Sequence, residues 1–280
     1  MINIGIISII IIVINFGVSY KGFKDRMFFE KYKFEVDKIL IDKEYYRLIT
    51  SGFLHVDWTH LIFNMISLYA FSELLEINVG RINFIIIYFG SLIAGDLFAL
   101  FIHKNHGDYN SVGASGAVFG VVFASIALFP GLEIGFFILP ISIPSWIYGI
   151  LYIGYSIYGI KSKRDNIGHE AHLGGALIGM LIAIILYPTS LIENYRPILI
   201  VFIPSIIFIY IIITKPYVLY IDNYFFKTQK KYYSIEDKYN DQKVNQQKEI
   251  DRLLDKISKK GIKSLSKNEK QKLEEYSNKR

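Results

Sequence analysis

The chain has 280 residues, 52% of them apolar, and a mean hydropathy of +0.33, which is more apolar surface than one soluble core of this size needs. It contains no cysteine, which excludes disulfides, thiolate catalysis and cysteine-based metal sites. The residues after 214 hold 17 of the 31 basic and 10 of the 25 acidic side chains, so the basic character belongs to the tail and does not indicate a nucleic-acid enzyme.

Seven apolar stretches are long enough to cross a bilayer, because roughly 20 helical residues match a hydrocarbon core of about 30 Å. In chain order they are Ile2–Ser19, Thr59–Leu75, Ile82–Ile102, Ser111–Phe129, Leu139–Tyr158, Gly168–Tyr187 and Pro197–Thr214. The first lacks the basic start and the small-residue cleavage site of a signal peptide, so we expect it to remain as a span. The sequence therefore predicts an all-α polytopic membrane protein.

Three regions are expected along the chain. Residues 1–195 form a six-span core, in which residues 20–58 are a structured loop at the membrane interface, since they mix charged and aromatic side chains. Residues 196–216 form a seventh, C-terminal span, and residues 217–280 form a charged, soluble helical tail. Whether the seventh stretch crosses decides on which side of the membrane the tail lies.

Polar side chains occur at similar places in three of the predicted spans. His60 and Asn64 are four residues apart on one face of the second span, Ser115 lies near the start of the fourth, and His172 lies about one turn into the sixth. Spans two apart in a serial bundle run in the same direction, so these residues share a depth. They predict a small polar pocket within about 10 Å of one membrane face.

Pairs of small residues predict how two of these spans approach. Gly116 and Gly120 are four residues apart on the fourth span, and Gly175 and Gly179 are spaced likewise on the sixth. Such pairs let membrane helices come into backbone contact. Because His172 lies on the same face as Gly175 and Gly179, its imidazole is expected to reach the fourth span.

The pocket has the groups needed for acyl transfer. The hydroxyl of Ser115 becomes a nucleophile when a base takes its proton, and neutral His172 is the suitable base. The Asn64 amide, a His60 N–H and the backbone N–H of Ser115 are candidate donors to an oxyanion. None of these three spans has a carboxylate at this depth, so the sequence favours a Ser-His dyad over a triad.

Three motifs, in this order and on these spans, resemble those of the rhomboid intramembrane serine proteases of bacteria. They are His55-x-x-x-x-His60-x-x-x-Asn64, Gly113-Ala-Ser115-Gly116 and Ala171-His172-x-x-Gly175. The resemblance covers roughly residues 46–187, with Tyr46 where the family has a tryptophan before its arginine. The tail is similar to a short segment of some bacterial rhomboid-like proteins.

The resemblance implies a six-helix bundle that cleaves transmembrane segments of membrane proteins. It implies Ser115 as nucleophile, His172 as base, and His60, Asn64 and the Ser115 N–H as the oxyanion site. The supporting positions are Gly113, Gly116, Phe119, His55 and Gly175, with Phe119 as an aromatic packed against the histidine. We expect no cofactor, no metal and no nucleic acid, and a location in the bacterial inner membrane.

Three other interpretations compete with this one. A rhomboid-like pseudoprotease would keep the fold and bind or retain membrane clients, but such proteins typically lose the serine or the histidine. A transporter could line a permeation path with the buried polar groups. A metal site could use four imidazoles, at His55, His60, His169 and His172, although the two-histidine helical spacing of zinc peptidases is missing.

Overall fold

The structure is a computed structural model that describes residues 5–129, 131–136, 139–162 and 168–214, together with nine positions between 250 and 273. The chain divides into two compact units, residues 1–229 and 230–280. The two helices expected in the tail lie largely outside the described residues and stay predictions.

Helices make up most of the described chain. Their bounds are α1 Ile6–Lys24, α2 Arg26–Tyr32, α3 Val36–Leu40, α4 Arg47–Thr50, α5 Trp58–His103, α6 Ser115–Leu128, α7 Ser145–Ser162, α8 His169–Leu186, α9 Ser190–Glu193 and α10 Tyr195–Thr214. A 3₁₀ turn covers Ser51–Phe53. Two antiparallel strand pairs complete the fold, β1 Phe34–Glu35 with β2 Asn110–Ser111, and β3 Glu133–Phe136 with β4 Leu139–Pro144.

The long helices confirm the predicted fold class. In the described part of the chain, α1, α5, α8 and α10 are long and apolar enough to cross a membrane, and α6 is a shorter apolar helix. With 46 residues, α5 would be about 69 Å long if straight, more than twice the hydrocarbon core. Gly80, at φ 79° and ψ 161°, breaks it into two halves that match the second and third predicted spans.

Three predicted span boundaries were wrong. The first helix continues past Ser19 to Lys24. The fourth begins at Ser115 and not at Ser111, because Ser111 pairs with Phe34 in the β1–β2 ribbon. Ser115 is therefore the first residue of its helix and lies at its N-terminal end, not a turn inside it.

The fifth span was predicted to begin at Leu139, and the structure begins it at Ser145. The residues Leu139–Pro144 form β4 instead. Pro140 and Pro144 explain this, because proline lacks an N–H and disfavours helical backbone at the residue before it. Between the two prolines the sequence Ile141-Ser142-Ile143 alternates apolar and polar residues, as strand sequences often do.

The segment from Tyr20 to Trp58 contains short helices, a 3₁₀ turn and a short strand, and its place at the membrane interface stays a prediction. Its centre is Arg47, which is 3% exposed and donates from Nη1 to the carbonyls of Glu30 (2.9 Å) and Lys33 (2.7 Å) and from Nε to Glu44 (2.6 Å). A buried arginine that donates to backbone carbonyls and to a carboxylate joins the chain segments that carry them. Arg47 thereby joins three parts of this loop to one another.

The core is centred on α6, which packs against α8 and both halves of α5. Every residue of α6 except Phe119 and Leu128 is buried. The contact with α8 is made through glycine: a Cβ at Gly175 would overlap the Gly116 carbonyl, and one at Gly179 would overlap the Gly120 backbone. The close approach predicted from these glycines is present.

The helix α10 is joined to the end of α6. Asn194 donates from Nδ2 to the carbonyls of Ile126 (2.6 Å) and Ala127 (2.9 Å), and Ile198 and Val201 are buried in the core cluster. The last carbonyls of a helix have no partner within it, so Asn194 supplies one. That α10 forms a separate region beyond a six-span core stays a prediction.

The glycine contact makes a testable prediction. In Gly179→Ala the new methyl group meets backbone atoms of α6, so we expect the free energy of unfolding to fall by about 1–3 kcal/mol. Gly154→Ala, in α7, is the matched control, because a Cβ there meets nothing within 4 Å and helix propensity alone should leave the protein as stable or slightly more so. Reversible unfolding in mixed micelles measures both. Equal midpoints for the two variants would contradict the packing argument.

Candidate active site

Ser115 and His172 form the centre of the site. Ser115 is the first residue of α6 and His172 the fourth of α8, and the glycine contact between these helices brings Ser115 Oγ into a hydrogen bond with His172 Nε2. Both residues are buried, with exposed fractions of 7% and 5%. The sequence predicted this pair and the structure brings it together; the roles of nucleophile and base stay predictions.

The imidazole of His172 is held by ring packing. Its centroid lies 5.3 Å from Phe119, 6.1 Å from Tyr152 and 5.6 Å from His169, and Phe119 stacks on Tyr152 at 3.4 Å. Among the described residues no group hydrogen-bonds His172 Nδ1. For Ser115 to donate to Nε2, the ring proton must be on Nδ1. The arrangement is a hydrogen-bonded serine and histidine whose imidazole is oriented by aromatic packing.

The N-terminal end of α6 supplies backbone donors. The N-cap residue is Ala114, whose side chain cannot accept a hydrogen bond. The first N–H groups of the helix, at Ser115 and Gly116, are therefore not bonded by a capping side chain. These groups lie beside the nucleophilic oxygen. A tetrahedral intermediate formed on Ser115 would place its oxyanion near them.

Gly113 brings a third group to this place. Its φ of +136° favours glycine strongly, and a Cβ there would lie 2.7 Å from His60 Cε1 and 3.4 Å from Ser115 Oγ. The ring of His60 and the hydroxyl of Ser115 therefore both lie against Gly113. The structure thus brings His60 to the nucleophile, as the sequence predicted.

Asn64 makes a hydrogen bond within its own helix. Its Nδ2 donates to the carbonyl of His60 at 3.0 Å, one turn back on the same helix. An amide NH₂ carries two protons, so one remains for another acceptor. The structure thus keeps Asn64 on the same face as His60, and its part in an oxyanion site stays a prediction.

His55 ties α1 to the start of α6. Ser19 Oγ donates to the Phe53 carbonyl at 2.9 Å, so the 2.9 Å contact between Ser19 Oγ and His55 Nδ1 has the histidine as donor. This tautomer leaves Nε2 to accept from the Ala114 N–H, at a long 3.5 Å. Burial and the neighbouring His60 lower the pKa of His55 to about 3, so the ring is neutral as this bonding requires.

A small polar cavity of about 10 Å³, with room for roughly one water molecule, opens beside Ser115 and His172. It is lined by Ser51, Asp96, Ser111, Val112, Gly113, Ser115, Gly116, Gly168, Ala171 and His172. Asp96 is 7% exposed and accepts from Ser51 Oγ at 2.9 Å. Motif spacing did not reveal Ser51, Ser111 or Gly168, because they come from loops and helix ends that only the fold brings together.

Two further positions that support the dyad were missed by sequence reasoning. A Cβ at Gly95 would overlap the Ala171 carbonyl, so the second half of α5 also touches the backbone of α8 beside His172. Glu170 Oε1 lies 3.5 Å from His103 Nε2, which joins the first turn of α8 to the end of α5. A glycine and a carboxylate inside apolar spans were the available signals.

The imidazoles do not gather into a metal site in the described residues. No group of three or more histidine or acidic side chains there is placed to hold a metal ion. His55 and His60 lie edge to face at 4.9 Å, and His169 and His172 at 5.6 Å, as two separate pairs of rings.

Comparison with known proteins gives two family matches. The Rhomboid domain family matches residues 42–189, just over half of the chain, and DUF6576, a family of unknown function, matches residues 233–279.

Three relatives illustrate the similarity. Rhomboid protein 1, mitochondrial, of Saccharomyces cerevisiae is 34% identical over 152 residues, or 51% of this chain and 43% of that protein. The putative rhomboid protease YdcA of Bacillus subtilis is 34% identical over 142 residues, or 50% and 66% of the two chains, and the rhomboid protease GluP of the same species is 29% identical over 148 residues, or 52% and 27%. The matched part spans between about a quarter and two thirds of these relatives' own length.

The positive φ of Gly113, next to Ser115, leads to a testable prediction. In Gly113→Ala the methyl group would displace His60 and Ser115, so we expect the rate at which a fluorophosphonate labels Ser115 to fall roughly 100-fold. Gly80→Ala is the matched control, since Gly80 also has positive φ but a Cβ there meets nothing within 4 Å. Equal labelling of the two variants would show that the geometry around Gly113 does not matter to the serine.

Proposed function

The chain is a multi-pass integral membrane protein of the rhomboid family, and we propose that it is a serine endopeptidase that cleaves transmembrane segments of membrane proteins by a Ser115–His172 dyad. The observation that carries the proposal is the hydrogen bond from Ser115 Oγ to His172 Nε2 beside a polar cavity in an apolar bundle. Polar groups inside a bundle are costly and are usually functional.

In the first half of the reaction the dyad attacks a peptide carbonyl. His172 takes the hydroxyl proton on Nε2 while Ser115 Oγ bonds to the carbonyl carbon, and the resulting oxyanion accepts from the N–H groups at the start of α6. His60 and the second amide proton of Asn64 are further donors. The imidazolium then gives its proton to the leaving amine, and an acyl-enzyme remains.

The second half of the reaction needs a water molecule in an apolar bundle. The cavity beside Ser115 offers the partners that such a water requires, in Ser51, Asp96 and Ser111. His172, neutral again, takes a proton from the water as it attacks the ester. The Ser115 hydroxyl is restored when the same proton is returned to Oγ.

The position of the site restricts the substrate. Ser115 and His172 lie within one turn of the N-terminal ends of their helices, so a substrate must present its peptide bond near one membrane face. A transmembrane helix bonds all its amides internally, and the segment must unwind before a carbonyl can reach Ser115. We propose that helix-weak residues such as glycine or proline near the cut, and a small residue before it, favour cleavage.

The bacterial relatives support a place in a bacterial cytoplasmic membrane, although the yeast relative is named as mitochondrial. The tail matched by DUF6576 has no assigned role.

The dyad is tested with the purified protein and a panel of labelled single-span substrates in proteoliposomes. Ser115→Ala and His172→Ala should each lower cleavage at least about 1,000-fold, because nucleophile and base act as a unit. Ser125→Ala is the matched control, since Ser125 is buried on the same helix and bonds only the Val121 carbonyl; it should cleave as the wild type does. Undiminished cleavage by either dyad variant would overturn the assignment.

A fluorophosphonate arm removes the dependence on a chosen substrate. The reagent should modify Ser115 in the wild type and much more slowly in His172→Ala. A wild-type protein that neither reacts with it nor cleaves any of the panel would instead support a binding protein with the family fold.

A further inference from the structure

A second cavity opens on the surface where α1 ends and α5 begins. Its volume is about 520 Å³, and it is lined by Gly22, Phe23, Lys24, Arg26, Phe29, Val56, Asp57 and Trp58. None of these residues lines the cavity beside Ser115.

Two of its side chains are cations without a direct counter-ion. Lys24 and Arg26 are exposed, and no ion pair among the described residues includes either. The Lys24 ammonium lies 4.4 Å from the ring centre of Tyr20, a contact that holds its position and leaves its charge available. The cavity therefore offers two positive groups to an anion.

The acidic side chains near these cations have other partners: Glu30, whose pKa is lowered chiefly by Lys33 and in part by Arg26, pairs with Lys33 at 2.6 Å. Asp25 accepts from the Phe28 N–H at 3.0 Å, and Asp57 accepts from the His60 N–H at 2.7 Å. Each of these two aspartates thus caps a helix, where the partial positive charge of the helix end offsets it. They do not neutralise Lys24 and Arg26 by contact.

The remaining walls are aromatic and aliphatic. Trp58 is 48% exposed and lies 5.0 Å from Phe23 and 6.3 Å from Tyr20, ring centre to ring centre. Half-exposed tryptophan and tyrosine at the ends of spans are typical of the layer where lipid head groups meet the hydrocarbon. The cavity thus combines phosphate-binding cations with an apolar floor.

The helices on either side continue this apolar surface along the membrane. Exposed large apolar side chains follow on α1, at Val13, Ile14 and Phe16, and on the first half of α5, at Ile62, Phe63 and Ile66. A ligand held at the cavity could lay acyl chains on these faces. A free phosphate ion would use the cations alone.

We propose that this cavity binds the head group of an anionic phospholipid, with Lys24 and Arg26 on the phosphate and with Trp58 and Phe23 against the first part of the acyl chains. Lysine and arginine both bind phosphate well, and basic side chains at a membrane surface attract anionic lipid. The proposal does not depend on the peptidase function. It predicts a lipid next to the loop that carries His55, because Gly22 lies against Leu54, with a Cβ there 2.9 Å from Leu54 Cδ2.

Tryptophan fluorescence gives a direct test, because the chain has two tryptophans and Trp146→Phe leaves Trp58 alone. This variant is placed in phosphatidylcholine vesicles that contain a small fraction of a brominated lipid. The brominated lipid is either phosphatidylglycerol or phosphatidylcholine, and its bromine atoms lie near the head-group end of the acyl chain. Bromine quenches a tryptophan that it touches. We expect the anionic lipid to quench Trp58 at roughly one fifth of the concentration that the neutral lipid needs.

The double change Lys24→Gln and Arg26→Gln should remove this preference, whereas Lys43→Gln with Lys104→Gln should keep it. The control pair loses the same charge from exposed residues that do not line the cavity. Both single changes should lower the preference in part. A preference that survives the first double change, or that is absent from the parent, overturns the proposal.

Two further arms separate the possible ligands. Inorganic phosphate in the buffer should not reduce quenching by the brominated anionic lipid; if it does so at low concentration, the site binds free phosphate and the lipid assignment is wrong. Native mass spectrometry of the wild type with both tryptophans should find phosphatidylglycerol retained over phosphatidylcholine, and the loss of that retention in the Lys24 and Arg26 double variant. Equal retention of the two lipids by the wild type would also overturn the proposal.

Discussion

The contact between the backbones of α6 and α8 is the constraint on which the site depends. Helices with ordinary side chains pack with their axes about 8–10 Å apart, and larger residues would increase this. Here Gly175 meets the Gly116 carbonyl and Gly179 meets the Gly120 backbone. This lets a short serine side chain and an imidazole, one from each helix, reach each other. Glycine weakens an isolated helix, and in a bilayer the close packing that it permits offsets that cost.

The second organising principle is that polar groups gather at one depth near a membrane face. Each of these groups comes from a segment that begins or ends there. They are Ser115 with His172, His60, the N-terminal end of α6, and the Ser51–Asp96 pair. The proposed reaction would then not require water or substrate to cross the bundle. Among the described residues His172 Nδ1 has no hydrogen-bond partner, so in the proposed mechanism the packing of Phe119 and Tyr152 would orient the ring as a carboxylate does in a triad.

Local sequence pattern predicted the spans, the glycine faces and the Ser115–His172 pair, because hydrophobic length and helical spacing are properties of short segments. It was wrong at Leu139, where two prolines favour a strand, and at Ser111, whose pairing with Phe34 is a tertiary contact. It could not give the bond between Ser51 and Asp96, which are 45 residues apart, because that bond depends on how separate segments meet.

Asn194 gives the chain an architecture that similarity alone does not reveal. The family match ends at residue 189, yet Asn194 lies beyond it and bonds the last carbonyls of the helix that begins with Ser115. In a hydrocarbon setting those carbonyls have no water to replace it. The helix that holds the serine is therefore completed at its far end by a residue outside the recognised domain. A domain border drawn from homology at residue 189 would separate α6 from the residue that bonds its last carbonyls.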